Sequence, residues 1–263
     1  MVMIDNFGSI LFLWFYMITI WVAVIIYWKR RPSEKQKSWY YVFYSFALLA
    51  FGDIFHLIPR TYLWIDYTFN HNIGVYDSKM GIYVYGFGLI MTGVTMIFFY
   101  LGFYLFWKEE ILSKVKSNPN FVSIEKNITV FDNIAYISVI LRIILILLPW
   151  NNWGTEPTYY ENFWNFRLLT NLPLYVIGFE VLYLFIKTSI QLQKDNTIHP
   201  DILHAIKNSA IWIIVSFVTY SITVIGVHAY PLLGMMMIPK TIAYLIVLYY
   251  MGKYILGNQD LLK

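Results

Sequence analysis

Asp53, His56 and Arg60 stand close together in the stretch Gly52-Asp53-Ile54-Phe55-His56-Leu57-Ile58-Pro59-Arg60, directly after an apolar run over 40–51. Offsets of three and seven residues put all three side chains on one face of a helix. An acid one turn from an imidazole can orient that ring as a general base, or can join it as a pair of metal ligands. The guanidinium one turn further on suits a planar anion such as a carboxylate or phosphate. Charged groups at membrane depth are costly and usually face a bundle interior or a wet cavity. Asp53 and His56 are therefore the candidate catalytic pair.

Four more ionisable residues interrupt apolar runs: Arg142, Glu180, His228 and Lys240. Arg60, Arg167, Asn171 and the run Trp150-Asn151-Asn152-Trp153 lie at run ends. At a helical rise of about 1.5 Å per residue, Asp53, Arg142 and Lys240 each lie about 10–14 Å in from the nearest run end. Glu180 lies somewhat deeper. Similar depths allow Arg142 and Glu180 to pair across adjacent helices, either as a structural lock or as part of a site. Arg60, Arg167 and Lys240 converge on one side and can clamp an anion; the two arginines can equally be helix ends that reach for head groups. The candidate ligand-binding set is Arg60, Arg142, Asn151, Arg167, Asn171, Glu180, His228 and Lys240. His228 could add a third zinc ligand to Asp53 and His56, or simply cap a helix end. No ligand spacing here is diagnostic of a metal, so none is assigned, and no motif designates a cofactor. Helical phase and depth predict that Asp53, His56 and Lys240 share one cavity.

The elements that must position these groups follow from the hydropathy pattern. Of the 263 residues, 59% are hydrophobic, 20% aromatic and only 13% charged. A soluble domain carries about twice that charge. Seven apolar runs approach the roughly 20 residues a bilayer requires. They lie over about 9–28, 39–58, 81–107, 131–150, 168–192, 206–230 and 232–256. The chain reads as an all-α, seven-helix membrane bundle forming a single domain over 1–263. The first run lacks a basic leader segment and a small-residue cleavage site, and Lys29-Arg30-Arg31-Pro32 follows it. It reads as a retained span.

Lysine and arginine sort the loops into two sets. One holds Lys29, Arg30, Arg31, Lys35, Lys37, Lys108, Lys114, Lys116, Lys126, Lys187, Lys194, Lys207, Lys253 and Lys263; the other holds Arg60, Lys79 and Arg167. This asymmetry predicts an outside N-terminus and a cytoplasmic C-terminus. The prolines of the spans, Pro59, Pro149, Pro173, Pro231 and Pro239, then all fall toward the outside. Proline removes a backbone donor, and freed carbonyls at membrane depth need protein or water to satisfy them. The outer half is thus the expected place for a pocket, and the polar, aromatic loops over 61–80 and 151–166 can either cap it or be ordinary interfacial loops. Gly81, Gly86, Gly88, Gly93 and Gly102 suit a central third span that neighbours approach closely, although glycine is also simply common in membrane helices.

Composition excludes some functions outright. The absence of cysteine removes disulfides, thiolate nucleophiles and Cys-ligated metals. The net charge of +4 is spread through short loops, which argues against nucleic acid and for topology signals. Lys240 in the seventh of seven spans is similar in placement to the Schiff-base lysine of retinal proteins. That resemblance is topological only: the third span holds no acid for a counter-ion, and Met236 stands where microbial rhodopsins have an aspartate. Seven-span hydrolases of the alkaline ceramidase type use Asp, Ser and three His, and the paired histidines of their last span are missing here. The chain is therefore not recognised as a member of either family.

Two function classes remain in front. One is a binder or enzyme whose outer-half pocket takes a lipid-like or anionic small molecule, with His56 as general base, Asp53 as its orienting partner and the cations as an anion clamp. The other is a proton-coupled carrier that uses Asp53, His56 and Glu180 as a relay. Crowding of polar groups on one side favours the first. A photoreceptor of the retinal type or a membrane assembly component ranks behind both. Membrane lipids are the expected surroundings, and the composition fits a bacterial plasma membrane. Nothing in the pattern sets an oligomeric state.

Overall fold

The computed structural model describes residues 7–32, 36–70, 79–115, 118–151, 153, 163–192, 198–226 and 230–257. Among these residues the fold is all-helical, without strands, and seven helices are long and apolar enough to cross a membrane. They are α1 (Phe7–Lys29), α2 (Lys37–Asn70), α3 (Lys79–Phe106), α4 (Ile128–Leu147), α5 (Phe163–Gln191), α6 (Pro200–Gly226) and α7 (Met237–Met251). This is the architecture of a multi-pass membrane protein. Lys29, Lys37, Lys108, Lys187 and Lys253 mark one end of the bundle, the lysine end; Pro59, Pro149 and Pro231 mark the other, the proline end.

Each helix packs on its neighbours in sequence, and α7 returns to α1 to close a ring. α3 also meets α4 and α5, so it runs through the middle of the packing. Its glycines explain the close approach. A methyl at Gly88 would overlap the Phe55 carbonyl oxygen, and one at Gly93 would press on the Ile146 side chain beside Arg142. The first of these contacts completes an account of Pro59. Proline at that position cannot donate to the carbonyl four residues back, which is that of Phe55. The carbonyl left over by Pro59 is the one that α3 meets with a glycine.

Helix ends differ from the hydropathy boundaries where local chemistry intervenes. α2 does not stop at Pro59 but runs on to Asn70, because an established helix propagates at little cost. α4 ends at Leu147: Leu148 is extended (ψ 138°), as the residue before Pro149 prefers. α6 begins at Pro200, six residues before the expected boundary, with Asp201 in its first turn. Proline suits the first helical position, and an acid there complements the helix dipole. α3 continues through a π-helical turn, Trp107–Leu112, and α7 is entered through a 3-10 turn, Pro231–Met236.

The two halves of the bundle are packed differently. Toward the lysine end, Trp39, Phe46, Phe99, Phe103, Phe106, Trp107 and Phe185 are fully buried in one aromatic core. Trp39 Nε1 donates to the Leu256 carbonyl at 3.1 Å, and Trp107 Nε1 donates to Thr188 Oγ1 at 2.7 Å. Toward the proline end this filling gives way to a cavity.

Candidate functional site

The cavity encloses about 280 Å³, near the lower end of small-molecule sites. All seven helices contribute to its wall, including Tyr16 and Met17 of α1, Asp53 and His56 of α2, and Thr92 and Met96 of α3. Arg142 of α4, Asn171 of α5, Tyr220 of α6 and Lys240 of α7 add to the polar lining, as does Trp153 from the connection after α4. The apolar remainder includes Leu57, Leu89, Leu168, Leu174, Phe217 and Val224. The site is thus a small set of polar groups held in an apolar wall.

The spacing on α2 delivers Asp53 and His56 to the same cavity. The hydrogen bond to Asp53, however, comes from another helix: Tyr16 Oη donates to Asp53 Oδ2 at 2.6 Å. The imidazole of His56 lies beside the Tyr85 ring, with 5.9 Å between ring centroids. Tyr16 is thus a hydrogen-bond partner of the acid supplied by a different helix.

Lys240 enters from the first turns of α7, directly after Pro239. Its ammonium lies 4.5 Å from the Tyr220 ring centroid and 5.6 Å from that of Tyr244. Aromatic faces attract a cation but do not accept a strong hydrogen bond from it. Among the described residues no carboxylate lies within ion-pair distance of Lys240. Asp53 is near enough to act on it electrostatically across the cavity.

Arg142 is buried and donates through Nη1 to the Thr170 carbonyl on α5, while its Nε has no partner among the described residues. Thr170 follows Leu169, whose carbonyl Pro173 leaves without a helical donor. Tyr220 Oη donates to Asn171 Oδ1 at 2.7 Å, which fixes the phenol beside Lys240. At the cavity floor the hydroxyls of Tyr100 and Tyr244 meet at 3.3 Å.

Of the candidate residues, Asp53, His56, Arg142, Asn171 and Lys240 come together on this cavity. Asn151 and Glu180 do not line it. Asn151 is fully buried and donates through Nδ2 to the carbonyls of Leu145, Ile146 and Leu148, while its Oδ1 accepts from Thr170 Oγ1 at 3.0 Å. It closes the carbonyl end of α4, where a helix leaves such groups unsatisfied. Glu180 corrects the expected pairing with Arg142. Arg142 bonds at Thr170, ten residues before Glu180 on the same helix, which is a separation of about 15 Å. The helix begins at Phe163, well before its apolar run, which carries Glu180 further from Arg142 than a depth counted from the run end implies. The side chains of Arg60 and Arg167, and the whole of His228, lie outside the described residues. Among the described residues no three metal-ligating side chains cluster.

The sequence does not single out Tyr16, Tyr100, Tyr220 and Tyr244, which contribute four hydroxyls to the polar wall. One signal was present: Tyr244 follows Lys240 by four residues and so shares its helix face. Among 23 tyrosines that signal does not stand out. Compared with known proteins, the chain matches no family model, no curated protein and no solved structure. Fold and geometry together define a seven-helix, multi-pass membrane protein with a polar cavity in one half of the bundle.

Proposed function

We propose that the cavity binds, and in one version processes, an anionic or lipid-like small molecule whose acidic group is held by Arg142 and Lys240. One observation carries this reading. Two cations face the cavity against a single carboxylate, Asp53, which already accepts from Tyr16. Lys240 is left with aromatic faces and no acceptor among the described residues. A buried cation without an acceptor is costly, and an incoming anion supplies what is missing. The apolar wall suits a hydrocarbon portion. His56 is the group placed to exchange a proton with the bound molecule, and it is the general base if the molecule is processed.

The same reading places the lysine end in the cytoplasm and the cavity in the outer half of a plasma membrane, by the positive-inside rule. The test is native mass spectrometry of the protein released from mild detergent. An anionic mass retained by the wild type and lost from Lys240→Met is the expected result. Loss of a charge-assisted hydrogen bond weakens binding by about 10- to 100-fold. A retained species that is neutral or cationic, or one held equally by Lys240→Met, overturns the reading.

A further inference from the structure

Arg142 is the fixed charge of the cavity. It is only 5% exposed, and an arginine keeps its proton in any surroundings. Among the described residues no carboxylate lies within ion-pair distance of it. Its Nη1 donates to a neutral acceptor, the Thr170 carbonyl, and its Nε makes no hydrogen bond among the described residues. Nη2 lies beside Gly93 of α3, where a Cβ would stand 3.5 Å from it. Gly93 belongs to the cavity wall and has no side chain to cover that nitrogen. The guanidinium is thus buried, unmatched in charge and reachable from the cavity at Nη2.

The rest of the wall does not supply the missing charge. Asp53 and Lys240 cancel when both are ionised and cancel equally when both are neutral. Tyr16 and Tyr220 are neutral donors, to Asp53 at 2.6 Å and to Asn171 at 2.7 Å. With His56 neutral, as a general base must be, the wall carries one net positive charge. α5 and α6 bring the two cations to the same wall. Thr170 holds Arg142, the adjacent Asn171 holds the Tyr220 hydroxyl, and the Lys240 ammonium lies 4.5 Å from the Tyr220 ring centroid.

One missing negative charge selects the ligand. A phosphate monoester or a dicarboxylate brings two, and the second would be buried without a partner. A phosphodiester brings one, but it carries a substituent on each of two ester oxygens, which is bulky for a cavity of about 280 Å³. A carboxylate brings one charge on a flat group with a single substituent, and its two oxygens suit a guanidinium and an ammonium. That substituent meets Leu57, Leu89, Leu174, Phe217 and Val224, so it is apolar.

We propose that the cavity is a site for a monocarboxylic acid with a single hydrocarbon chain, its carboxylate held between Arg142 Nη2 and Lys240 Nζ. The proposal rests on the anion reading of the cavity and narrows it to one charge and one chain.

Calorimetric titration of the full chain in a non-ionic detergent tests it with three probes of equal chain length: hexanoate, hexyl phosphate and hexanamide. At about pH 8 the phosphate monoester is a dianion, and the amide is the uncharged counterpart of hexanoate. Hexanoate is expected to bind about tenfold more tightly than either, and Arg142→Gln to lose its preference over hexanamide. The three probes compared on the unmutated protein decide the matter even if the variant does not fold. Hexyl phosphate bound as tightly as hexanoate overturns the single-charge assignment and leaves the anion reading in place. Hexanamide bound as tightly as hexanoate overturns both, and so does a protein that takes up none of the three.

Discussion

At the scale of single residues, the cavity is defined by who donates to whom. Asp53 shares a helix face with His56 and accepts a hydrogen bond from Tyr16 on α1. A short bond between a phenol and a buried carboxyl ties the first helix to the second. Tyr16→Phe leaves that carboxyl without its donor, at a cost of about 1–3 kcal/mol. Denaturation in detergent should show this loss in the wild-type background and a smaller loss in Asp53→Asn, since the two side chains are coupled. Equal losses in both backgrounds would mean that the bond contributes nothing. Arg142 illustrates the same point from the other side. Its type and depth marked it in the sequence, but its acceptor is a backbone carbonyl, Thr170, which no residue pattern announces.

At the scale of elements, the decisive contact is between α2 and α3. Pro59 strips the Phe55 carbonyl of its helical donor, and Gly88 lets α3 come against that same carbonyl. Thr92 adds a side-chain bond across the interface, donating to the Gly52 carbonyl at 3.2 Å. Gly88→Ala therefore forces the helices apart and should cost about 1–3 kcal/mol, as overpacking does. Adding Pro59→Ala gives the Phe55 carbonyl its own helical donor again and should recover part of the loss. Melting temperatures of the single and double variants in detergent decide this, and a double variant no better than Gly88→Ala would break the link. The glycine pattern of α3 and the prolines were both legible in the sequence. Their meeting was not, because it depends on the rotation of two helices about their own axes.

At the scale of the whole molecule, the bundle has one filled half and one hollow half. The aromatic core occupies the lysine end, while the cavity lies where the prolines are. The predicted orientation puts the hollow half outside. The natural absence of cysteine makes this easy to measure. Tyr230 is 70% exposed after α6, and Asn120 is exposed in the turn before α4. A membrane-impermeant maleimide should label Tyr230→Cys in intact cells and Asn120→Cys only after permeabilisation. The reverse pattern would invert the topology and move the cavity to the cytoplasmic half.

Span number, span order and helical class were determined by the sequence itself, because long apolar runs with few charges have only one low-cost arrangement in a bilayer. The same holds for the shared face of Asp53 and His56, which a period of 3.6 residues imposes within a single helix. Everything that joins different helices was decided by tertiary structure: Tyr16 on Asp53, Arg142 on the Thr170 carbonyl, Lys240 between Tyr220 and Tyr244, and Glu180 apart from them all. Depth along each span can be counted from its ends, although Glu180 shows how an early helix start misleads the count. Rotation about each helix axis leaves the hydropathy of a span almost unchanged, so only packing against the other six helices selects which polar groups meet.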